Sequence, residues 1–209
     1  MPKLTEPTDL KQAIAVLPEY IAQYPTTLRL RRFETIRNSL STGGDFAVWA
    51  CPDDRTQEET KLFEVKSTAG GARRRHFIDA SGLPLFTVSH KGIGATWFMH
   101  LPNRNPRTEP MGVFAPRYDL FQNKMHVYVR NTEQDKEEWK LEVRGQNLHL
   151  KSTTEVYLNG VLIMSARVKN PMNLDWEINV PKGLDTSLVS HCYRLYRALL
   201  ILTFSRHQR

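Results

Sequence analysis

The middle of the chain alternates between short apolar runs and clusters of turn-forming residues. Between residues 26 and 170, runs rich in Val, Phe, Thr, Tyr and Trp are separated by Gly, Pro, Asn and Asp. This spacing is typical of an all-β sandwich or barrel. The clearest hairpin centres on Asn159-Gly160, because both residues tolerate the positive φ values of a type I′ turn. The pattern therefore predicts a mainly β domain.

Two further hairpins and several single strands follow from the same pattern. Residues 75–78 and 85–88 are joined by a turn from Asp79 to Gly82, and residues 46–49 and 61–65 by a charged loop. Additional strands are predicted at residues 96–100, 124–130, 138–143, 147–152 and 175–180. Residues 101–116 are rich in proline, which predicts a long irregular insertion.

Both ends of the chain have helical spacing instead. Residues 8–24 place apolar side chains at helical intervals after Thr8, with Pro18 as a kink or stop. Residues 184–204 are strongly apolar, lack Gly and Pro, and begin at Asp185 or Thr186 as a cap. Arginines interrupt this segment too often for a membrane span. It is predicted to be a core helix that buries Leu195, Leu199 and Leu202.

Length and composition indicate one sizeable globular domain. The 209 residues are 40% hydrophobic and 24% charged, which argues against wholesale disorder. Lys and Arg number 29 and Asp and Glu 22, a formal net charge of +7. Anionic partners such as phosphoinositide headgroups or nucleic acid are compatible with this charge.

Candidate chemistry for catalysis or metal binding is sparse. The sequence has no Cys-x-x-Cys or His-Glu-x-x-His motif, and its seven histidines lack ligand spacing. Residues 173–179 are polar at alternate positions but lack the Gly and Glu of a calcium loop. Cys51 and Cys192 lie far apart, and no signal peptide precedes them. We expect an intracellular protein that is no enzyme and has no metal or cofactor.

Several segments carry a family resemblance: Leu28 to Arg31, Asp45 to Trp49, Leu62 to Val65, the Asp-Ala-Ser-Gly-x-Pro-Leu core that starts at Asp79, and the final apolar helix. Together they resemble the tubby C-terminal-like superfamily, and within it the LURP-one-related and phospholipid scramblase-like branch. The resemblance implies a closed antiparallel barrel of about twelve strands that encloses the C-terminal hydrophobic helix. Residues 25–209 would form this barrel, and residues 1–24 a short N-terminal helical extension.

The resemblance also implies a function and a site. Tubby domains bind phosphoinositides with two basic residues separated by one residue on a strand, and alternation places both on one face. The candidates here are Arg29, Arg31, Arg73 and Arg75. We therefore expect a non-enzymatic module that docks on anionic, phosphoinositide-containing membranes.

Two alternatives remain open from the sequence. The chain could be a protein-interaction or structural barrel without lipid affinity. It could also be a nucleic-acid-associated regulator, which is a weaker reading because no recognition motif or aromatic-basic ladder is visible. The expected location is cytoplasmic, with peripheral membrane or nuclear association as the alternatives.

Overall fold

A computed structural model describes residues 5–32, 45–52, 58–67, 74–90, 96–102, 109–118, 123–130, 138–146, 153–170 and 175–189. Most of these residues belong to β-strands. The strands are β1 (Thr26–Arg32), β2 (Phe46–Cys51), β3 (Thr60–Ser67), β4 (Arg74–Asp79), β5 (Pro84–His90), β6 (Trp97–His100), β7 (Gly112–Tyr118), β8 (Asn123–Arg130), β9 (Glu138–Gln146), β10 (Thr153–Leu158), β11 (Val161–Asn170) and β12 (Asp175–Val180).

The twelve strands form a closed antiparallel barrel. Each strand pairs with the next one along the chain, and β1 pairs with β12 to close the ring. In the closing pair, Leu28 lies opposite Ile178 and Arg29 opposite Glu177. Closure leaves none of the twelve described strands with a free edge that could recruit another chain. The fold class predicted from the sequence is confirmed.

Strict alternation separates the inside of the barrel from the outside. On β12, Trp176, Ile178 and Val180 are buried while the residues between them are partly exposed. Aromatic rings fill one side of the interior, where Phe77 stacks on Phe86 with centroids 4.3 Å apart. The apolar residues that occur at every second position of the strands therefore line the interior of the barrel.

The tight turns form where the sequence predicts them. Asn159 and Gly160 have φ values of 50° and 81°, as a type I′ turn between β10 and β11 requires. In the turn between β4 and β5, Asp79 Oδ1 accepts hydrogen bonds from the backbone N–H groups of Ser81 and Leu83, both at 2.8 Å. The strand predicted at residues 147–152 lies outside the described residues.

The irregular insertion predicted at residues 101–116 is partly wrong, because residues 112–116 belong to β7. Gly112 permits close packing there: a Cβ at this position would lie 2.8 Å from Met99 Cε. Pro116 pairs with Met125 of β8, whereas the pairing with β6 ends at Phe114 among the described residues. Proline has no N–H group to donate, so it is tolerated where the strand has no hydrogen-bonded neighbour on one side.

The predicted N-terminal helix over residues 8–24 is also wrong. The segment is extended, apart from one 3-10 turn at Pro18–Tyr20. Its backbone bonds to residues that follow β12: the Ile14 N–H group donates to Gly183 O at 2.9 Å, and the Ala22 N–H group to Leu184 O at 3.0 Å. Pro18 weakens the helical alternative, and these tertiary bonds then satisfy the backbone groups that a helix would have paired.

Asp185 joins the two ends of the described chain. Its fully buried carboxylate accepts the N–H groups of Val16 and Leu17 at 3.0 and 2.9 Å, and that of Ser187 at 2.8 Å. It thereby caps the predicted C-terminal helix, whose first turn occupies residues 186–189 with Leu188 buried.

The predicted burial of Leu195, Leu199 and Leu202 concerns residues outside the described part of the chain. No helix in the described ranges is long and apolar enough to cross a membrane.

We predict that Asp185→Ala lowers the free energy of unfolding by about 3 kcal/mol or more, because it removes a helix cap and leaves buried N–H groups without acceptors. Urea unfolding measures the change. Asp9→Ala is the matched control, since exposed Asp9 accepts one backbone N–H group, that of Lys182. The control should lose less than about 1 kcal/mol. Equal losses in both variants would contradict this role of Asp185.

Candidate functional site

Arg29 and Arg31 lie together on the outer face of β1. Leu28 and Leu30, their neighbours along the strand, point into the barrel with 0% and 6% of their surface exposed. Alternation therefore directs both arginine side chains outward, as predicted from the sequence. We refer to Arg29 and Arg31 as the arginine pair.

A carboxylate from the β2–β3 connection lies between the two guanidinium groups. Glu59 Oε1 accepts hydrogen bonds from Arg29 Nη1 at 2.5 Å and from Arg31 Nη2 at 3.0 Å. Its second oxygen, Oε2, lies 2.8 Å from Arg31 Nη2. All three side chains are partly exposed, Arg31 the most at 40%. The arginine pair thus binds one anionic group, and that group belongs to the chain itself.

Further ion pairs surround the arginine pair. Arg29 Nε lies 3.7 Å from Asp175 Oδ1. Glu177 faces Arg29 in the register of β1 and β12, but its carboxylate pairs with Arg167 at 2.5 Å and Lys169 at 3.5 Å on β11. Cations and carboxylates alternate across β11, β12 and β1, and this side of the barrel is nearly balanced in charge.

Cys51 borders the same site. Its Sγ atom lies 3.7 Å from Glu59 Oε1. Burial raises the pKa of the Cys51 thiol, and the Glu59 carboxylate raises it further, while Arg29 and Arg31 oppose the shift. The thiol is therefore held in its protonated form beside the arginine pair.

The other predicted arginines are elsewhere. Arg73 lies outside the described residues. Arg75 points into the barrel, is 2% exposed, and places its guanidinium carbon 5.8 Å from the centre of the Trp97 ring. Burial lowers the pKa of Arg75 to about 10, against the opposing charge of Asp45. A phosphate on the outer surface cannot reach such a side chain, so Arg75 does not join the arginine pair in one site.

Within residues 173–179, the segment discussed for calcium, the structure describes only residues 175–179, which belong to β12 and supply a polar strand face. Asp175 and Glu177 point outward from β12 and are ion-paired with arginines of β1 and β11. Within the described residues, no group of three or more His, Cys, Asp or Glu side chains is placed to hold a metal ion.

Comparison with protein-family models places the chain in a family. The model of the LURP-one-related family matches residues 34–192, well over half of the chain. The chain belongs to the LURP-one-related family. An X-ray structure of a protein from Arabidopsis thaliana is similar to this LURP-one-related barrel with a TM-score of 0.62 and 16% sequence identity, over 90% of this chain and 98% of that one. No curated protein matches the sequence. The family predicted from the sequence is confirmed, and the structural likeness supports the fold alone.

The LURP-one-related barrel has a second cluster of cations that sequence reasoning missed. Arg117 on β7, Lys124 on β8, and Lys140 and Arg144 on β9 all point outward; we call these four residues the basic face. One sequence pattern could have indicated this cluster: Lys140, Glu142 and Arg144 occupy every second position and so share one face of a strand. The register that brings β7, β8 and β9 together cannot be read from the sequence.

We predict that Glu59→Gln lowers the pKa of the Cys51 thiol, because the arginine pair then favours the thiolate without opposition from a carboxylate. In a Cys192→Ser background, the reaction of Cys51 with a disulfide reagent at pH 7.5 should become several-fold faster. The midpoint of its pH–rate profile should move to lower pH.

The control for this measurement is Glu64→Gln, because Glu64 pairs with Lys61 and Lys66 on β3 and the pKa shift of Cys51 arises from burial, Glu59, Arg29 and Arg31. Its thiol profile should match that of the parent protein. An unchanged midpoint in Glu59→Gln would show that Glu59 does not lie against the thiol in solution.

Proposed function

We propose that this LURP-one-related chain is a non-enzymatic binding module that docks on anionic, phosphoinositide-containing membranes through Arg29 and Arg31. One observation carries the proposal: two guanidinium groups from alternate positions of one strand converge on a single anionic group. The planar guanidinium group of arginine can donate two parallel hydrogen bonds to a phosphate, as it does to a carboxylate. A phosphate also carries more negative charge and one more oxygen acceptor.

Binding requires that the phosphate displace Glu59. The pairs between Glu59 and the arginine pair are partly exposed, with side-chain exposures of 20–40%. Ion pairs of this exposure each stabilise a protein by about 0–1 kcal/mol. An anionic membrane surface attracts each nearby Lys or Arg by about 1 kcal/mol. The attraction of the two arginines to an anionic membrane is therefore as large as the energy of the ion pairs with Glu59 that a headgroup phosphate would replace.

The surroundings of the arginine pair support binding rather than catalysis. Glu59 and Asp175, the neighbouring carboxylates, are ion-paired with arginines. The Cys51 thiol borders the arginine pair, and burial together with Glu59 raises its pKa. A nucleophile in catalysis needs the opposite shift or an adjacent base.

Sedimentation with vesicles tests the proposal at low and physiological salt, using vesicles with and without a phosphoinositide. The arginine pair variant, Arg29→Gln with Arg31→Gln, should bind phosphoinositide vesicles at least about tenfold more weakly, since two cations are lost. Glu59→Gln should bind more tightly than the parent because the competing carboxylate is gone.

The matched control is Lys11→Gln with Lys182→Gln, which removes the same charge from two exposed positions; Lys182 lies five residues beyond Glu177, the register partner of Arg29. It should bind phosphoinositide vesicles nearly as well as the parent. Binding that is absent for every vesicle composition, in both the parent and Glu59→Gln, would sink the lipid function and favour a protein-interaction barrel.

A further inference from the structure

Three cations form a row across the outer surface of β7, β8 and β9. Arg117 lies directly opposite Lys124, and Lys124 directly opposite Arg144. Neighbouring strands are about 4.8 Å apart, so these backbone positions lie close together. Like charges at directly opposed positions destabilise a sheet. The row therefore has an energetic cost that a bound anion would remove.

The carboxylates of this surface do not balance its cations. Glu142 accepts hydrogen bonds from Arg144 Nε at 2.9 Å and Arg144 Nη2 at 3.1 Å, and it lies 3.6 Å from Lys124 Nζ. Arg117 and Lys140 are exposed and have no ion pair with any described carboxylate. Glu155, opposite Arg144 on β10, is only 9% exposed and accepts a hydrogen bond from the Tyr157 hydroxyl. The hydrogen bonds to Glu142 raise the pKa of Arg144, and the charge of Glu155 helps to raise it. The described carboxylates therefore act on Lys124 and Arg144 and leave Arg117 and Lys140 without an ion pair among the described residues.

Aromatic rings lie among these cations. His126 and Tyr128 follow Lys124 on the outer side of β8, and their ring centroids are 6.3 Å apart. On β10, the Tyr157 ring lies 4.3 Å from the Arg144 guanidinium carbon. Burial lowers the pKa of His126, and the charges of Lys140 and Arg117 lower it further, so the ring is neutral at pH 7. The basic face therefore combines exposed charge with partly exposed rings.

The position of the basic face separates it from the arginine pair. In the order of strands around the ring, β8 is five strands from β1, close to the opposite side of a twelve-strand barrel. A flat membrane that contacts β1 cannot also contact β8. This step rests on the proposed docking through Arg29 and Arg31, and it assigns the basic face a partner other than that membrane.

We propose that the basic face binds single-stranded nucleic acid, with phosphates on Arg117, Lys124, Lys140 and Arg144. The row crosses three strands on the convex outer side of the barrel, and Lys140 extends the basic face along β9, so a linear polyanion can contact all four cations. Bases stack on aromatic rings carried by sheet surfaces, and this contact needs no particular sequence. An acidic peptide would use the cations and leave Tyr128 and His126 without a role.

Fluorescence anisotropy of the full chain with a labelled single-stranded oligonucleotide of about 12 nucleotides tests the proposal. The face variant, Arg117→Gln with Lys140→Gln, should bind at least about tenfold more weakly than the parent. Loss of two phosphate contacts should also reduce the slope of log affinity against log salt by about 1.4. Tyr128→Leu should weaken binding about fivefold or more through lost stacking. Thermal melting checks that each variant is folded.

Three controls separate the basic face from general charge. Lys11→Gln with Lys182→Gln, and Arg29→Gln with Arg31→Gln, remove the same charge elsewhere and should leave oligonucleotide binding within about twofold of the parent. The face variant should in turn keep its vesicle binding. If the basic face does not bind the oligonucleotide, the vesicle measurements still test the membrane proposal. If the protein does not bind vesicles, the oligonucleotide measurements still test the basic face.

Four results would overturn the inference. The first is no oligonucleotide binding by the parent at low salt. The second is equal weakening of the face variant and the charge-matched controls, which indicates net charge alone. The third is equal competition by a poly-glutamate peptide of the same charge, which indicates an acidic polypeptide as partner. The fourth is loss of vesicle binding in the face variant with unchanged oligonucleotide binding, which makes this surface the membrane contact.

Discussion

Pairing of β1 with β12 is the constraint on which the remaining structure depends. It converts an open meander into a ring in which every described strand has two neighbours in the barrel order. The ring encloses the apolar side of every strand and leaves the polar side outside. It also places Arg29 opposite Glu177, residues at the two ends of the strand sequence. The chemistry of the outer surface is thus a consequence of closure, because closure decides which side chains become neighbours.

The end of the barrel near residues 183–185 shows how the closed ring is completed. Its N-terminal segment contributes backbone N–H groups, and the residues after β12 contribute carbonyl oxygens and the Asp185 carboxylate. Burial raises the pKa of Asp185, and the hydrogen bonds that it accepts oppose that shift. Every contact described for this carboxylate comes from a donor, which suits its ionised form. One acidic side chain therefore couples the N-terminal segment to the helical turn at residues 186–189.

The two sides of the outer surface differ in how their charges are balanced. Around β1, Arg29, Arg31 and Arg167 each have a carboxylate partner, and Glu59 occupies the position where an external anion would bind. Around β8, Arg117 and Lys140 have no described carboxylate partner. A partner at β1 must displace an internal competitor, which favours a ligand with strong, directed oxygen contacts. A partner at β8 meets unbalanced charge, which favours attraction that weakens with salt.

The sequence by itself determined the class of fold, the family and the local turns. Alternating apolar residues predicted the strands, and Asn159-Gly160 predicted its hairpin, because both signals depend on neighbouring residues alone. The same alternation placed Arg29 and Arg31 on one face. The tertiary structure alone decided that residues 8–24 form no α-helix, because Leu10, Ile14 and Ala22 donate their backbone N–H groups to carbonyl oxygens of residues 182–184. It also decided that Gly112 to Tyr118 forms a strand despite Pro116, since the neighbouring strands supply the needed pairing on one side. The contact of Glu59 with the arginine pair and the row from Arg117 to Arg144 depend on strand register and on the path of a loop. Those are properties of residues far apart in sequence, and no local pattern encodes them.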